Sequence, residues 1–474
     1  MVATTVPRCV TRAPPPVGEA EDREESAASP DRCQFWLPNK RRLCANTPLP
    51  FSRFCGNHDP DAGSRRIPCP IDPSHSVSED NLQSHVKKCP FRKQALALES
   101  QPYYSKGING SPDDDYVDSS AKRNTILQLS AKDFHTLLEK VKSIHSAISV
   151  VLLDSYVIPD ACRAWLKQQH LDRKLPYQEK HAMQQASIVG NIEVTGILQK
   201  PNESTEPFYQ EIEGRDHFGR DESQVPAVVE FGAGRGYLTQ MLTDCYGLSK
   251  VCLIERKSYK LKADRSLRQS QNIILERLRI DIEDLNLKEV NLLKGLQYIA
   301  IGKHLCGPAT DLTISCCLNG QSEQNKETHS SIPNLQGLAL ATCCHHLCQW
   351  KHYANKKFLL SLGITKEEFH AMTWFTSWAV DADHSSEHAD MLFNATNIGT
   401  LEEKQSDFVV GSVDDAIRSM PALDRARLGF MCKEIIDTGR LFWLREHGME
   451  AQLVKYVPLR ISPENHLLIA KCCG

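Results

Sequence analysis

Apolar side chains divide the 474-residue chain into regions of different period. From residue 225 onward, short apolar runs alternate with amphipathic segments. The runs at 225–231, 250–254, 296–301 and 335–341 have the length and near-continuous Val, Ile, Leu and Ala content of buried strands, and helical stretches lie between them. That alternation predicts a parallel, doubly wound sheet of the α/β class. Nearer the N-terminus, Phe134, Leu137, Leu138, Val141, Ile144 and Ile148 recur at helical spacing, so 133–151 is predicted to be an amphipathic helix. Further helices are expected over the first part of 176–198 and over 424–445, with a closing strand pair at 449–456 and 466–471.

Polar stretches at 199–224, 319–332 and 381–414 interrupt this pattern and read as surface insertions. Residues 1–30, rich in Pro, Ala, Ser and Glu, are expected to be disordered. Residues 31–93 show little apolar periodicity and need a staple to fold. The expected organisation is a disordered 1–30, two small modules at 31–60 and 66–93, a polar linker at 94–122, and a catalytic domain at 123–474 with a helical N-terminal extension.

Composition sharpens this picture. No apolar run approaches the roughly 18 residues needed to span a bilayer, and the first residues lack the apolar core of a secretory signal. The nucleus, the cytoplasm or both are therefore the expected locations, with no membrane partner and a monomer as the default state. In such compartments the 18 cysteines are expected to be metal ligands, core residues or reactive thiols. The net charge of −3 argues against a uniformly basic nucleic-acid coat. Residues 31–93, however, hold 11 Lys and Arg against 6 Asp and Glu, a local +5, which fits an RNA-anchoring appendage.

That basic region carries two ligand sets. Cys33, Cys44, Cys55 and His58 form one, Cys69, His75, His85 and Cys89 the other. Each supplies the four N and S donors of a closed tetrahedral Zn2+ site, and the short closing spacings let two ligands share one turn, in the second set on a helix predicted over 81–88. Metal binding would supply folding energy that such small modules lack. Arg41, Arg42, Arg65, Arg66, Lys87 and Lys88 could meet phosphates, and Phe35, Trp36 and Phe54 could stack on bases or pack the small cores.

The run Val228-Val229-Glu230-Phe231-Gly232-Ala233-Gly234-Arg235-Gly236 is a strand entering a glycine loop and then a helix. Gly232, Gly234 and Gly236 allow a sharp turn and close approach to a ligand. Glu230 just before the loop, Glu255 at the end of the next strand and Asp281 further on are placed to hold S-adenosyl-L-methionine. A dinucleotide would have no need of Glu230, whereas a cofactor with a cation and no phosphate suits it.

Ile301-Gly302-Lys303-His304-Leu305-Cys306-Gly307 follows one predicted strand, and Thr342-Cys343-Cys344-His345-His346 with Cys348 follows the next. Both should reach the ligand-binding rim of the sheet. Lys303, His304 and His345 are the candidate catalytic residues, the first two able to take a proton from a ribose hydroxyl. Cys343 could instead be the nucleophile of cytosine-5 methylation, although the Pro-Cys pair that accompanies such chemistry is missing. The Cys343-to-Cys348 cluster could be core packing or a further metal site.

Taken together, the two finger patterns, Gln184-Gln185-Ala186-Ser187-Ile188, the Glu230-to-Gly234 loop, Lys303-His304-Leu305-Cys306-Gly307 and Cys343-Cys344-His345-His346 resemble the eukaryotic tRNA nucleoside-4 2′-O-methyltransferase family over roughly residues 31–474. The resemblance implies a Rossmann-like S-adenosyl-L-methionine-dependent methyltransferase preceded by CCCH and CHHC zinc fingers. It also implies tRNA as partner, and methylation of the ribose 2′-OH of nucleotide 4 in the acceptor stem of certain tRNAs, such as those for glycine, proline and histidine. The other readings are a cytosine-5 methyltransferase using Cys343 and a non-catalytic zinc-finger RNA-binding adaptor.

Overall fold

The computed structural model describes residues 32–37, 42–45, 47–50, 52–55, 66–71, 75–111, 116–148, 152–171, 179–198, 226–257, 267–268, 272–318, 334–382, 384 and 412–473. His58, residues 1–30, and the expected insertions at 199–224 and 319–332 lie outside the described residues, as does nearly all of 381–414. The chain forms two compact units, Met1–Arg92 and Lys93–Gly474.

Among the described residues, the first unit has no extended core. Strands β1 (Trp36–Leu37) and β2 (Arg42–Leu43) pair antiparallel, as do β3 (Arg66–Pro68) and β4 (Ser76–Ser78), and α1 (Leu82–Lys88) follows. What is buried is mainly the cysteines: Cys33, Cys44 and Cys55 cluster with Phe54 against them, while Phe35 and Trp36 are exposed.

The second unit is built on an eight-stranded sheet. Its strands are β5 (Leu153–Asp154), β6 (Ala227–Phe231), β7 (Lys250–Ile254), β8 (Ile274–Leu278), β9 (Gln297–Cys306), β10 (Asn334–Cys343), β11 (Met449–Lys455) and β12 (His466–Cys472). The order is β5-β11-β12-β10-β9-β6-β7-β8. β12 runs antiparallel to both its neighbours, and the remaining pairings are parallel. Every residue of β6 is buried, as expected of a central strand covered on both faces. One apolar layer packs Leu285, Leu312 and Leu441 against the sheet, and another packs Ile188, Ile192 and Met241. This is the α/β, Rossmann-like architecture expected, with an antiparallel strand inserted near one edge.

Two differences from expectation have simple causes. The edge strand β8 (Ile274–Leu278) is half-exposed and carries Glu276 and Arg277, so it lacks an uninterrupted apolar run. The expected linker is partly organised against the second unit. Asn109 is buried and its side-chain amide donates to the Ile282 and Leu285 carbonyls at 2.7 Å each, and the Gly107 N–H donates to Asp284. Short polar side chains satisfying buried backbone carbonyls leave no apolar signature in a sequence. Helix α2 (Arg92–Glu99) precedes this stretch and α3 (Ser119–Leu127) follows it, leading to α4 (Ala131–Ile148), whose buried face is Phe134, Leu137, Leu138, Val141 and Ile144.

Candidate active site

Strand order reverses between β6 and β9, the point at which ligands enter open α/β sheets. A cavity of about 990 Å³ opens there, lined among others by His181, Glu230, Gly234, Glu255, Asp281 and Lys303. Gly232, Gly234 and Gly236 adopt φ of +60°, +51° and +78°, a region costly for other residues. The loop is closed by carboxylates. Glu230 is buried, and its Oε2 accepts from the Thr239 N–H at 3.1 Å and hydroxyl at 2.6 Å, tying the strand end to the helix Tyr237–Tyr246. Burial pushes Glu230 up to about 7 against the lowering pull of Thr239, Arg277 and Lys303. Glu255 accepts from the Gly234 N–H at 3.0 Å and the Lys257 N–H at 2.8 Å. Asp281 caps a short turn through the Glu283 N–H and pairs with Arg256 at 3.0 Å. All six residues expected to hold the cofactor thus stand around one loop, and all but Gly236 line the cavity.

Lys303 and His304 sit within β9, in an irregularity of its pairing with β10 where Gly302 faces Leu340 and Leu305 faces Thr342. Such bulges re-aim side chains beside active sites. Lys303 Nζ lies 3.0 Å from His181 Nδ1 and 3.2 Å from His304 Nε2. Burial lowers Lys303 to about 8 although the Cys343 thiol and Glu230 favour its charge, and burial with the neighbouring Lys303 and His181 lowers His304 to about 4. A buried amine near neutrality, held between two imidazoles, can accept a proton. His181 escaped the sequence reading. His181 comes from the helix Glu179–Val194, four residues before Gln185, a spacing that puts both on one helix face and both on the cavity wall.

The cluster after β10 disperses. His345 is fully buried and does not line the cavity; its Nε2 lies 2.9 Å from Asp437 Oδ2, on the long helix Ala422–Glu446. The same carboxylate accepts from the Thr342 hydroxyl at 2.9 Å, meets His466 Nδ1 at 2.8 Å, and through Oδ1 accepts from Arg440 at 2.8 Å. Arg440 in turn pairs with the buried Asp311. Burial opposes charge on His345, but Asp437 and Glu464 outweigh it and raise the imidazole. This geometry makes His345 part of an internal ion network, too deep to meet a substrate. Cys343 is also absent from the cavity wall; neighbouring Cys306 and Cys344 and burial push its thiol well up, the opposite of what a nucleophile needs.

In the N-terminal unit the second ligand set converges. His75 Nε2 lies 3.0 Å from His85 Nε2, Cys69 Sγ 3.8 Å from Cys89 Sγ, and the cross distances are 3.2 and 3.7 Å. Zinc bonds of about 2.0–2.3 Å require donor separations of roughly 3.3–3.8 Å at the corners of a tetrahedron, so these donors fit Zn2+. In the first set Cys33, Cys44 and Cys55 converge within 4.8 Å, the arrangement of three zinc ligands.

Comparison with known proteins identifies a family and both finger types. Residues 183–471 match the family model described as methyltransferase TRM13, residues 31–59 the CCCH zinc finger in TRM13 protein, and residues 66–90 the U11-48K-like CHHC zinc finger. A rice (Oryza sativa subsp. japonica) protein named tRNA:m(4)X modification enzyme TRM13 is 53% identical over 240 residues, covering 49% of this chain and 91% of its own. The human homologue of that name is 28% identical over 93% of this chain and 94% of its own, and the Saccharomyces cerevisiae protein 25% identical over 92% and 94%. No solved structure gives a significant match.

Proposed function

The chain belongs to the TRM13 methyltransferase family, and from that premise we propose that it methylates tRNA, moving a methyl group from S-adenosyl-L-methionine to the ribose 2′-hydroxyl of nucleotide 4 in the acceptor stem. The tRNAs for glycine, proline and histidine are the proposed substrates. Its family and its relatives' names support a tRNA-modifying methyltransferase. The observation that carries the ribose chemistry is the position of Lys303 Nζ, between two imidazoles on the wall of the cavity that also holds the glycine loop.

The loop fits a cofactor that is cationic and lacks phosphate. Its Gly234 N–H is taken by the Glu255 carboxylate and so is not offered to a phosphate, and Glu230 adds a further acidic side chain beside the loop. Glu255 and Asp281 would hold the cofactor's polar end groups. When bound, S-adenosyl-L-methionine supplies an already activated methyl group. Orientation of the hydroxyl and removal of its proton are then the work left to the protein. Neutral Lys303 accepts that proton, His181 and His304 hold the amine in place with their ring nitrogens, and Glu230 steadies the resulting ammonium.

An A-form stem offers phosphates and 2′-hydroxyls rather than readable base edges, so recognition at a distance from the reacting nucleotide is useful. The exposed Phe35 and Trp36, with Lys87 and Lys88 of the fingers, provide stacking faces and cations for that purpose. Exposed Arg235, Arg256 and Lys257 line the cavity mouth, where phosphates of a bound stem would lie. The nucleus, cytoplasm or both remain the proposed locations; among the described residues no helix is long and apolar enough to cross a membrane.

The test is methyl transfer from labelled S-adenosyl-L-methionine to total tRNA from cells lacking the protein, followed by nuclease digestion and nucleoside mass spectrometry. A 2′-O-methylnucleoside mapping to position 4 is expected. Label on a base, or on ribose elsewhere, would overturn the assignment.

A further inference from the structure

Beside the cavity, three thiols that the proposed reaction leaves without a role meet at the ends of two adjacent strands. Cys306 closes β9 and Cys343 closes β10; the two are direct partners in the parallel pairing, with Sγ atoms 3.6 Å apart. Cys344 is next in the chain, and its sulfur joins the other two within 4.8 Å. The convergence depends on one unusual backbone conformation. Cys344 has φ of +49°, and among the described residues it alone combines a side chain with positive φ. Glycine, or more rarely asparagine, is the usual choice there, and another residue is strained. If Cys344 only made a turn, glycine would serve better. A cysteine is explained by what its sulfur binds.

We propose that Cys306, Cys343 and Cys344 form a metal site separate from the two fingers, taking a soft divalent cation of the zinc type through three thiolates and leaving a fourth position for an exchangeable ligand. Zinc–sulfur bonds of about 2.3 Å set sulfur–sulfur edges of roughly 3.8 Å, close to the 3.6 Å between Cys306 and Cys343. Cys306 also lines the cavity, so the ion would sit at its wall, three residues along the strand from Lys303. Metal entry would release the protons of the thiols that bind it. A bound ion would pin the ends of β9 and β10 together and fix the bulge that presents Lys303 and His304. Cys316, Cys317 and Cys432 are the contrast: buried thiols placed in apolar packing.

The experiment is metal analysis of the full-length chain after equilibrium dialysis against micromolar zinc, alongside Cys344→Gly and Cys306→Ser. The wild type is expected to hold one zinc equivalent more than the two fingers account for, and each variant to lose that equivalent. Alkylation mapping should show the finger thiols still protected in both. Cys344→Gly guards against misfolding, because glycine relieves the backbone strain: its melting temperature in chelator should match or exceed that of the wild type. No extra equivalent in the wild type, an unchanged count in Cys344→Gly, or a Cys306–Cys343 disulfide seen as a loss of two hydrogens would each overturn the proposal.

Discussion

At the scale of the residue, charge burial assigns the roles. Lys303 and His345 were both candidates, yet one borders the cavity and the other is locked to Asp437. Lys303 is lowered to about 8, so its base form grows as pH rises through that value. Single-turnover methyl transfer should therefore increase from neutral pH to a plateau above about 8. Lys303→Ala should abolish the increase and lower the rate by roughly 10²-fold or more, with cofactor affinity unchanged by calorimetry. A flat wild-type profile would remove Lys303 as the base. Asp437→Asn should instead act on stability. It removes the carboxylate that Arg440 and His345 share, leaving them Asp311 and Glu464 alone, and should cost about 3 kcal/mol in urea unfolding. The sign of its pH dependence also follows. His345 is raised in the folded state, so its contribution is present below the ordinary imidazole value and lost as pH rises through the raised one. Asp437→Asn should weaken that slope, since Glu464 alone is then left to raise the imidazole; a variant as stable as the wild type would show that the network is not needed.

At the scale of the element, the site is assembled from strand ends and one helix. Gly232 faces the His304 carbonyl and the Leu305 side chain, which a Cβ would approach to 3.3 and 3.2 Å, and its φ is +60°. Gly232→Ala should therefore disturb the loop and the bulge together, weakening S-adenosyl-L-methionine binding tenfold or more, about 1.4 kcal/mol. Calorimetric titration checks this; unaltered affinity would detach the glycine loop from the cofactor. The strands β6, β7 and β10 were evident from their apolar runs. β9 continues through Cys306 despite the polar Lys303 and His304, because a bulge absorbs them, and no periodicity rule anticipates that. His181 was readable in principle from its four-residue spacing to Gln185, but a histidine on a helix carries no mark of its partner.

At the scale of the whole molecule, the proposed role of the fingers is tRNA anchoring. His85→Ala removes a donor that lies 3.0 Å from His75 and 3.2 Å from Cys69, and should unfold the second finger, since metal binding supplies its folding energy. Filter binding should then show weaker tRNA affinity with a shallower salt dependence, while cofactor affinity is retained. Unchanged tRNA affinity would leave the fingers with a purely structural role.

The linear chain was sufficient for whatever depends on local spacing. Ligand intervals set the finger types, alternating apolar runs set the α/β class, and a glycine loop after a buried strand marked the proposed cofactor loop, because each is read over a few neighbouring residues. Only the tertiary structure separated Lys303 from His345, brought His181 to the cavity, and drew Cys306 to Cys343 and Cys344 across two strands. Those outcomes depend on burial, on strand register and on which charges meet in the interior, and such quantities exist only once distant parts of the chain are packed together.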